Sequence, residues 1–532
     1  MSQQQDPRTP PFVIGSDRPD LSAFLAVARH RRAVTLGDEA RASVARGEAF
    51  RRELAAGDRR IYGVNTGFGK LADTVIPARD QARLQRNLVR SHAVGWGEPL
   101  SRDTVRGMVF LRALGLSRGY SGVRPEVVEQ LLWLLATDTC PWIPSRGSVG
   151  ASGDLAPLAH LALVLTGEGH VLGADGSRRP AAEVLDAAGR APLVLEAKEG
   201  LALINGTQLM NSLGLLAVGR ALRLAGQATA AATLSLEALE GSPAPLHATY
   251  HALRPHPAVA QVAGAMRDLL AGSEVVAGHR GCARIQDPYS VRCSPQVVGA
   301  TLQVIRQVRD ALLVEAASVT DNPVLLPETG EVITGGHFHG QPIALQLDFL
   351  YQAVSELANI AERRINLLLG GNGGRLPRFL AGRPGLESGL MIAQYLAAGL
   401  VAENRSKAFP AAVDSIPTSD GQEDHVSMGS VAALKLAGVL DRTEAVIALE
   451  LLTAGRALRF VTGRDSASGG DGPRLAPPLQ DLLDALADVV SLAPGDRPLS
   501  DDLQTLTTWL AGDGWPLSTL ACLATLRQED PT

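Results

Sequence analysis

Long apolar stretches with helical spacing dominate the second half of this 532-residue chain. In residues 426–461 the apolar positions fall on more than one face of a helix. They are Val431, Ala432, Leu434, Leu436, Val439, Leu440, Val446, Ile447, Leu449, Leu451 and Leu452. A helix that is apolar nearly all round must be buried in a large core. Because one chain cannot easily cover several such helices, the sequence predicts a mostly α protein whose long-helix bundle is shared between copies of the chain.

The pattern of predicted helices and loops changes near residue 205, and this change predicts the domain organisation. Before it, short helical patterns alternate with Gly-rich loops; after it, further long helices are expected at about residues 208–240, 294–319, 342–369 and 390–404. Ser294 and Pro295 favour a helix start, as an N-cap followed by proline at the first helical position. We expect a flexible Gln- and Pro-rich tail, a smaller N-terminal domain, and a long-helix bundle with a C-terminal helical region, at residues 1–20, 21–205 and 206–532.

Bulk composition excludes several classes of protein. A net charge of -5 argues against a nucleic-acid partner. The charge-free residues 200–219 contain Asn205 and Gln208, which suit a buried helix better than a membrane span. The N-terminus has no apolar stretch typical of a secretory signal. Cys140, Cys282, Cys293 and Cys522 have no metal-type spacing and are too few for a disulfide framework. We therefore expect a cytoplasmic protein with no membrane partner and no metal.

One short segment, residues 147–160, carries the clearest chemical signal. At its centre stands the tripeptide Ala151-Ser152-Gly153. The Gly153 nitrogen can attack the Ala151 carbonyl if no side chain blocks it, and loss of two waters then gives an electrophilic five-membered ring. A phosphate-binding loop would need Gly-Lys-Ser/Thr, and a nucleophile elbow would need glycine where Asp154 stands. A self-cyclising loop explains the segment better than either.

This segment, including Asp154 and the following Leu-Ala-Pro-Leu, resembles the self-processing loop of the aromatic amino acid ammonia-lyases. The resemblance extends over roughly residues 61–461 and is strongest to the histidine-specific members. It implies a fold of the ammonia-lyase and fumarase type, a homotetramer, and a 4-methylideneimidazol-5-one (MIO) group formed from Ala151, Ser152 and Gly153. The implied reaction is elimination of ammonia from L-histidine to give trans-urocanate.

The stretch around Tyr62 resembles the mobile tyrosine loop of that family. Glycines at 63, 67 and 69 give its backbone the freedom to close over a substrate and exclude water. The resemblance makes Tyr62 the base that removes the β-hydrogen of the amino acid. A tyrosinate is basic enough, provided that nearby dipoles or cations lower its pKa from about 10. Tyr289 is also expected to be catalytic, and the division of roles between the two tyrosines stays open.

Residues 286–296 form a second block that resembles the family. Arg292 can bind a carboxylate with both arms of its guanidinium fork, just before a predicted helix N-terminus that favours an anion. The resemblance makes Arg292 the group that holds the substrate carboxylate, aided by Asn205 and Asn322. It places Gln286 and Tyr289 in the lining of the site near the MIO ring.

Substrate choice is expected to depend on His92 and Glu423. The Ser91-His92 pair is typical of the family's histidine-specific members, as is a glutamate at the position of Glu423. His92 can exchange a hydrogen bond with an imidazole nitrogen, and a carboxylate at 423 can orient or partly protonate that ring. Phe338 is expected to contact the substrate as well.

Departures from the histidine-specific pattern keep other substrates open. His337 stands where asparagine is usual, Asp420-Gly421 replaces the usual Ala-Asn, and Gly340-Gln341 is typical of tyrosine-acting relatives. The alternatives are a tyrosine or phenylalanine ammonia-lyase, or an aminomutase on the same scaffold. A helical binding scaffold that has lost its chemistry is a further alternative, but the intact tripeptide, Tyr62 and Arg292 argue against it.

Overall fold

The computed structural model describes residues 9–57, 59–278, 285–463 and 472–527. The described chain is mostly helical, which confirms the predicted fold class. It divides into two compact units. Unit 1 comprises residues 1–219, 308–348 and 410–434, and unit 2 comprises residues 220–307, 349–409 and 435–532.

The described residues of unit 1 form short helices and four small sheets. Its shorter helices are α1 (Leu21–Ala28), α2 (Asp38–Ala56), α3 (Ala78–His92), α4 (Arg102–Leu116), α5 (Pro125–Ala136), α6 (Leu155–Leu165), α7 (Ala181–Ala187) and α8 (Glu199–Ile204). Strand β1 (Phe12–Ile14) is parallel to β2 (Val34–Leu36). The antiparallel pairs are β3 (Trp96–Pro99) with β4 (Pro144–Arg146), β5 (His170–Leu172) with β6 (Arg178–Pro180), and β7 (Val324–Leu326) with β8 (Glu331–Ile333).

The remaining helices include the long ones that the sequence predicts. They are α9 (Gln208–Ala238), α10 (Ala248–Ala252), α11 (Pro257–Leu269), α12 (Glu274–Ala277), α13 (Tyr289–Arg292), α14 (Ser294–Ala316), α15 (Gln341–Leu369), α16 (Met391–Ser406), α17 (Gly429–Val461), α18 (Pro477–Val489), α19 (Ser500–Ala511), α20 (Leu517–Cys522) and α21 (Ala524–Arg527). The predicted long helices are confirmed to within a few residues at each end. In the described part of the chain, no helix combines the length and the apolar content that a bilayer span requires.

Helix α4 forms part of the core of unit 1. Ser101 caps its first turn by accepting a 3.2 Å hydrogen bond from the Thr104 amide. Most of its residues are buried, and Phe110 packs edge-to-face against Phe12 with ring centroids 5.1 Å apart. Two arginines, Arg106 and Arg112, lie inside this apolar helix and are 5% and 2% exposed.

Strand β1 lies within residues 1–20, for which the sequence predicts a flexible tail. Phe12 is fully buried and Ile14 nearly so, and β1 pairs with β2 along its three residues. The physical reason is the burial of two apolar side chains from a short extended segment, which offsets the entropy of ordering it. Residues 1–8 lie outside the described residues.

The compact units also differ from the predicted domain boundary at residues 205 and 206. Residues after 205 join unit 1 through contacts between distant parts of the chain. Ser212 on α9 donates a 2.8 Å hydrogen bond to the Thr104 carbonyl, and the Met428 amide donates at 2.9 Å to the Val149 carbonyl. The local pattern of a sequence does not reveal such hydrogen bonds, because they join residues that are far apart in the chain.

In unit 2, a buried ion pair joins two long helices. Arg364 on α15 contacts Glu450 on α17 through Nε–Oε1 and Nη2–Oε2 distances of 2.5 and 2.9 Å, and both side chains are fully buried. Ser235 on α9 adds a 2.7 Å hydrogen bond to Glu450. Removal of either charge would leave the other buried and unpaired, so we expect the loss of either side chain to be strongly destabilising.

Candidate active site

The tripeptide Ala151-Ser152-Gly153 lies in a tight turn that leads into α6. Ser152 and Gly153 have φ values of +51° and +79°, in the left-handed region. A Cβ atom on residue 153 would overlap the Gly206 carbonyl oxygen, so only glycine is accommodated. Gly153 has no side chain to block ring closure, and the left-handed backbone of Ser152 turns the chain back on itself. Both features fit ring closure between the Gly153 nitrogen and the Ala151 carbonyl.

The segment Asn205-Gly206 supports this turn from one side. Gly206 pairs with Gly153 in a parallel bridge, and its carbonyl accepts a 2.6 Å hydrogen bond from the Asp154 amide. The Asn205 Nδ2 donates at 2.9 Å to the Ser152 carbonyl oxygen. The Asn205 Oδ1 is buried and has no partner among the described residues. Asn205 therefore binds the turn directly and keeps one acceptor for a further ligand.

Asp154 joins the turn to the N-terminus of α9. Its Oδ2 accepts hydrogen bonds of 2.9 and 3.0 Å from the amides of Leu209 and Met210, in the first turn of that helix. The carboxylate thus satisfies two amides and lies at the positive end of the helix dipole. Burial raises the pKa of Asp154 to about 7, and the hydrogen bonds from Met210 and Leu209 oppose this shift.

This raised pKa predicts a pH-dependent contribution to stability. Between pH 4 and pH 7, roughly, folded Asp154 holds a proton that the unfolded chain has released, so its contribution falls as pH rises through that window. Asp154→Asn keeps an acceptor oxygen but cannot ionise. We expect the melting temperature of the wild type, relative to this variant, to decline from pH 5 to pH 8. A constant difference in melting temperature across that range would contradict the assignment.

Glu423 lies against the hydroxyl of Ser152. The Ser152 Oγ donates a 2.8 Å hydrogen bond to Glu423 Oε1, and Thr418 Oγ1 donates at 2.8 Å to Oε2. The backbones of Thr418 and Glu423 also pair, with a 2.9 Å bond from the Thr418 amide. Both carboxylate oxygens are therefore held in place. Sequence reasoning identified Glu423 but missed Thr418, which is five residues away and belongs to no recognised motif.

Tyr62 lies in a loop beside the Glu423 segment. Its hydroxyl accepts a 3.3 Å hydrogen bond from the Gly69 amide, and its ring meets Phe68 edge-to-face at 6.2 Å. Burial raises the pKa of Tyr62 above its ordinary value, the Glu423 charge adds to this rise, and the Gly69 hydrogen bond opposes it. The lowered pKa that would favour the tyrosinate is therefore not found, because burial and a nearby carboxylate together outweigh the Gly69 hydrogen bond.

Asn322 lies just before β7, and Phe338 lies in the connection between β8 and α15. Asn322 Oδ1 accepts a 2.8 Å hydrogen bond from the Gly335 amide, so its Nδ2 is the side-chain atom that can donate to a ligand. Phe338 is half-buried in the segment before α15. Its neighbour His339 stacks on His425 with ring centroids 5.7 Å apart. The segment that carries Phe338 therefore packs close to the one that carries Glu423.

His92 is the last residue of α3 and is half-buried. Its Nδ1 lies 2.8 Å from the Leu88 carbonyl and 3.1 Å from Ser91 Oγ. A proton on Nδ1 that is donated to the carbonyl leaves Nε2 as an acceptor. Within the described part of unit 1, no hydrogen bond links His92 to Ser152, Tyr62 or Glu423.

The other three predicted site residues lie in unit 2. Arg292 Nη2 donates a 3.0 Å hydrogen bond to Gln286 Oε1, and its guanidinium carbon lies 4.7 Å from the centre of the Tyr289 ring. Tyr289 is 72% exposed. Arg292 lines a cavity of about 820 Å³ together with His251, Arg254 and Gln296. The predicted site residues Gln286, Tyr289 and Arg292 therefore contact one another within unit 2.

Arg364 positions this block, and sequence reasoning missed it. Its Nη1 donates hydrogen bonds of 3.1 and 3.3 Å to the Ser290 carbonyl and Ser294 Oγ, on either side of Arg292. The same guanidinium is anchored by the buried Glu450. Arg364 stands beside Glu362 and Arg363 in the sequence of α15, so no signal in the sequence separates the buried arginine from its charged neighbours.

Comparisons with known proteins agree with this geometry. The aromatic amino acid lyase family matches residues 20–486. The chain is 52% identical to the histidine ammonia-lyase of Deinococcus radiodurans over 442 residues, 83% of this chain and 84% of that one. It resembles the solved tyrosine aminomutase of Streptomyces globisporus, with a TM-score of 0.87, 36% identity, and coverage of 98% of this chain and 99% of that one.

The solved histidine ammonia-lyase of Trypanosoma cruzi also has a TM-score of 0.87 and 36% identity, and the match covers 98% of this chain and 96% of that one. The family match spans the tripeptide turn, Tyr62 and the 286–296 block, which are the features that carried the resemblance. The predicted resemblance is confirmed, and the chain belongs to the aromatic amino acid lyase family.

Proposed function

We propose that this chain is a carbon–nitrogen lyase that eliminates ammonia from L-histidine and releases trans-urocanate. The observation that carries the proposal is the tripeptide turn, in which Ser152 lies 2.8 Å from Glu423 and is held by Asn205. The 52% identity to a histidine ammonia-lyase over most of both chains supports histidine as the substrate.

The proposed prosthetic group is MIO, formed from Ala151, Ser152 and Gly153. The glycine-only position at 153 and the left-handed Ser152 fit its formation. When formed, the group supplies an electrophile that draws electrons from the substrate and makes its amine a better leaving group. Asn205 would hold it through the 2.9 Å hydrogen bond to the Ser152 carbonyl oxygen.

The substrate carboxylate is proposed to accept hydrogen bonds from Arg292, from Asn322 and from the second Nδ2 hydrogen of Asn205, whose first is donated to the Ser152 carbonyl. The guanidinium of Arg292 offers a fork of donors that matches a carboxylate. Asn322 can donate through Nδ2, because its Oδ1 is occupied by the Gly335 amide. Gln286 orients Arg292 through the 3.0 Å contact, and Tyr289 stacks beneath the same guanidinium.

Tyr62 is proposed to remove the β-proton of the substrate. Its raised pKa means that the ionised form is a strong base once it is present, although a small fraction of the tyrosine is ionised at neutral pH. The glycine-containing loop that carries Tyr62 can exclude water from the reacting groups. Tyr289 is the alternative for this role.

Recognition of the side chain is proposed to involve Glu423, His92 and Phe338. Glu423 can accept a hydrogen bond from one imidazole N–H, and His92 Nε2 can accept from the second N–H that the ring carries when it is protonated. Phe338 supplies an apolar surface close to the Glu423 segment. A phenyl ring could use only the apolar contact with Phe338.

The direct test is incubation of the purified protein with histidine, tyrosine and phenylalanine separately. Urocanate, coumarate and cinnamate differ in their ultraviolet spectra. We expect urocanate to form fastest and ammonia to appear in equal amount. Faster turnover of tyrosine than of histidine would contradict the substrate assignment. His92 would then be assigned as the hydrogen-bond partner of the phenol hydroxyl of tyrosine.

His92→Phe should impair histidine far more than phenylalanine. Loss of a hydrogen-bond partner leaves a buried substrate nitrogen unsatisfied, which costs about 1–3 kcal/mol, or roughly 5- to 150-fold in kcat/KM. The new phenyl group offers an apolar wall to an aryl substrate. Glu423→Gln should act in the same direction. Equal losses for both substrates in the steady-state kinetics would argue against a role in selectivity.

An aminomutase is the second candidate. The tyrosine aminomutase of Streptomyces globisporus resembles this chain as closely in TM-score and identity as the histidine ammonia-lyase of Trypanosoma cruzi does. Gly340-Gln341 also matches the pattern of tyrosine-acting relatives. Chromatography of the same incubations for β-amino acids distinguishes the two, since only an aminomutase returns the amine to the β-carbon.

A homotetramer is proposed for the assembled enzyme. Apolar side chains on α16 are exposed in the single chain: Ile392 and Tyr395 are each 63% exposed and Leu396 is 42% exposed. Burial of such side chains in a subunit interface would be favourable by the hydrophobic effect. Light scattering in solution would give the mass of the assembly directly.

A further inference from the structure

Arg112 is a buried arginine whose hydrogen bonds converge on the segment behind the tripeptide turn. Its Nη1 donates at 2.9 Å to the Asn205 carbonyl and at 2.8 Å to Gln208 Oε1. Its Nη2 donates to the Ala202 carbonyl. The side chain is 2% exposed and projects from α4, a rigid and buried helix. One guanidinium therefore links the end of α8, Asn205 and the start of α9.

Gly206 lies between this guanidinium and the turn. A Cβ atom on residue 206 would come within 2.5 Å of Arg112 Nη1 and within 2.7 Å of Thr320 Oγ1. On its other side, the Gly206 carbonyl accepts the 2.6 Å hydrogen bond from the Asp154 amide. The backbone of Gly206 is thus enclosed by Arg112 and by the residues that follow Ser152. A shift of the guanidinium would be transmitted to the turn without any intervening flexible side chain.

The same buried network reaches Asn322. Gln208 Nε2 donates a 3.0 Å hydrogen bond to Thr320 Oγ1. Lys198 Nζ lies 2.5 Å from Asp321 Oδ2, and Asp321 Oδ1 accepts a 2.7 Å hydrogen bond from the Asn322 amide. Burial lowers the pKa of Arg112 to about 10, and the attraction of Asp321 opposes this. At neutral pH, Arg112 is therefore protonated, so that Nη1 and Nη2 carry the hydrogens that these hydrogen bonds require.

We propose that Arg112 is a positioning residue for ring formation, which fixes the Asn205-Gly206 backbone against Ala151-Ser152-Gly153. The inference rests on the proposed function, since it concerns formation of the MIO group. Cyclisation requires the Gly153 nitrogen and the Ala151 carbonyl to be held close together in the correct orientation. Arg112 fixes the Asn205-Gly206 backbone, to which the tripeptide turn is hydrogen-bonded. Arg112 itself touches none of the reacting atoms.

The test measures water loss from the tripeptide over time. Wild type and Arg112→Met are synthesised in a cell-free system, and the peptide covering residues 148–160 is analysed by mass spectrometry at intervals. A displacement of about 1 Å costs roughly 100-fold in an oriented reaction, so we expect Arg112→Met to lose two waters about 100-fold more slowly. Arg112→Lys should be intermediate, because an ammonium keeps the charge but lacks the planar fork.

Arg106 provides a matched control on the same helix. It is 5% exposed and donates to the Val27 and Leu135 carbonyls and to Asp138, away from the turn. Arg106→Met should lower the melting temperature while water loss keeps the wild-type rate. The proposal is overturned if Arg112→Met loses water at the wild-type rate, or if Arg106→Met slows the reaction equally. Absence of water loss in the wild type would instead contradict the proposed function.

Discussion

Tyr62→Phe should lower kcat by about 100- to 10,000-fold, the range typical of a lost general base. The substitution keeps the ring and its edge-to-face packing on Phe68 but removes the oxygen that can accept the β-proton. KM for histidine should change much less. Steady-state kinetics with histidine would measure both values. Near-normal turnover would move the role of base to Tyr289.

The pH dependence of the same variant adds an independent check. Because the pKa of Tyr62 is raised, its ionised fraction should grow with pH throughout the neutral and alkaline range. The kcat/KM of the wild type should therefore rise with pH more steeply than that of Tyr62→Phe, whose residual activity lacks this ionisation. Phe68→Leu serves as a packing control and should lose far less activity. Parallel pH profiles for wild type and Tyr62→Phe would contradict the role.

Ser152→Ala should reduce turnover by several orders of magnitude and leave the fold intact. Alanine at this position cannot supply the hydroxyl whose loss forms the exocyclic methylene of the proposed ring. The substitution removes the 2.8 Å hydrogen bond to Glu423 but keeps the backbone bonds to Asn205 and the bridge to Gly206. Circular dichroism and the melting temperature should therefore stay close to those of the wild type, while the histidine assay loses its signal.

A matched variant separates the chemistry from the packing at this position. Thr418→Val removes the hydrogen bond to the other oxygen of Glu423 but keeps the Ser152 hydroxyl. It should retain most of the water loss from the tripeptide. Substantial activity in Ser152→Ala would contradict the proposed electrophile, whatever the behaviour of Thr418→Val.

The long helices and the tripeptide were predictable because their signals are local. The apolar pattern of residues 426–461 spans many helical turns, so that burial could be inferred from it alone, and α17 lies within these limits. The tripeptide is a contiguous motif with one unusual chemistry. Phe12 and Ile14 also carried a local signal, an apolar run of three residues, which the Gln- and Pro-rich surroundings obscured.

The partners of the turn could not be predicted in the same way. Glu423 is 271 residues from Ser152 and Asn205 is 53 residues from it, and no periodicity connects them. The resemblance to a family named these residues but not their contacts. Arg112 and Arg364 belong to no motif, and their partners become visible only when distant segments are brought together. Both helices carry other charged residues, so the sequence does not show that these two arginines are the buried ones.

The pKa of Tyr62 illustrates a different limit. Its direction depends on how deeply the ring is buried and on the distance to Glu423, neither of which a sequence contains. The need for a base suggested that the pKa is lowered, whereas the surroundings in unit 1 raise it. The resemblance to the family therefore pointed to Tyr62, but the direction of its pKa shift depends on its surroundings in the folded chain.

The central claim is that Ala151, Ser152 and Gly153 cyclise to an electrophilic ring. It is tested most directly by the mass of the peptide covering residues 148–160, released by proteolysis from active wild-type protein. We expect a mass lower than that of the encoded sequence by two waters, with both losses confined to the tripeptide on fragmentation. An unmodified peptide from a fully active preparation would contradict it.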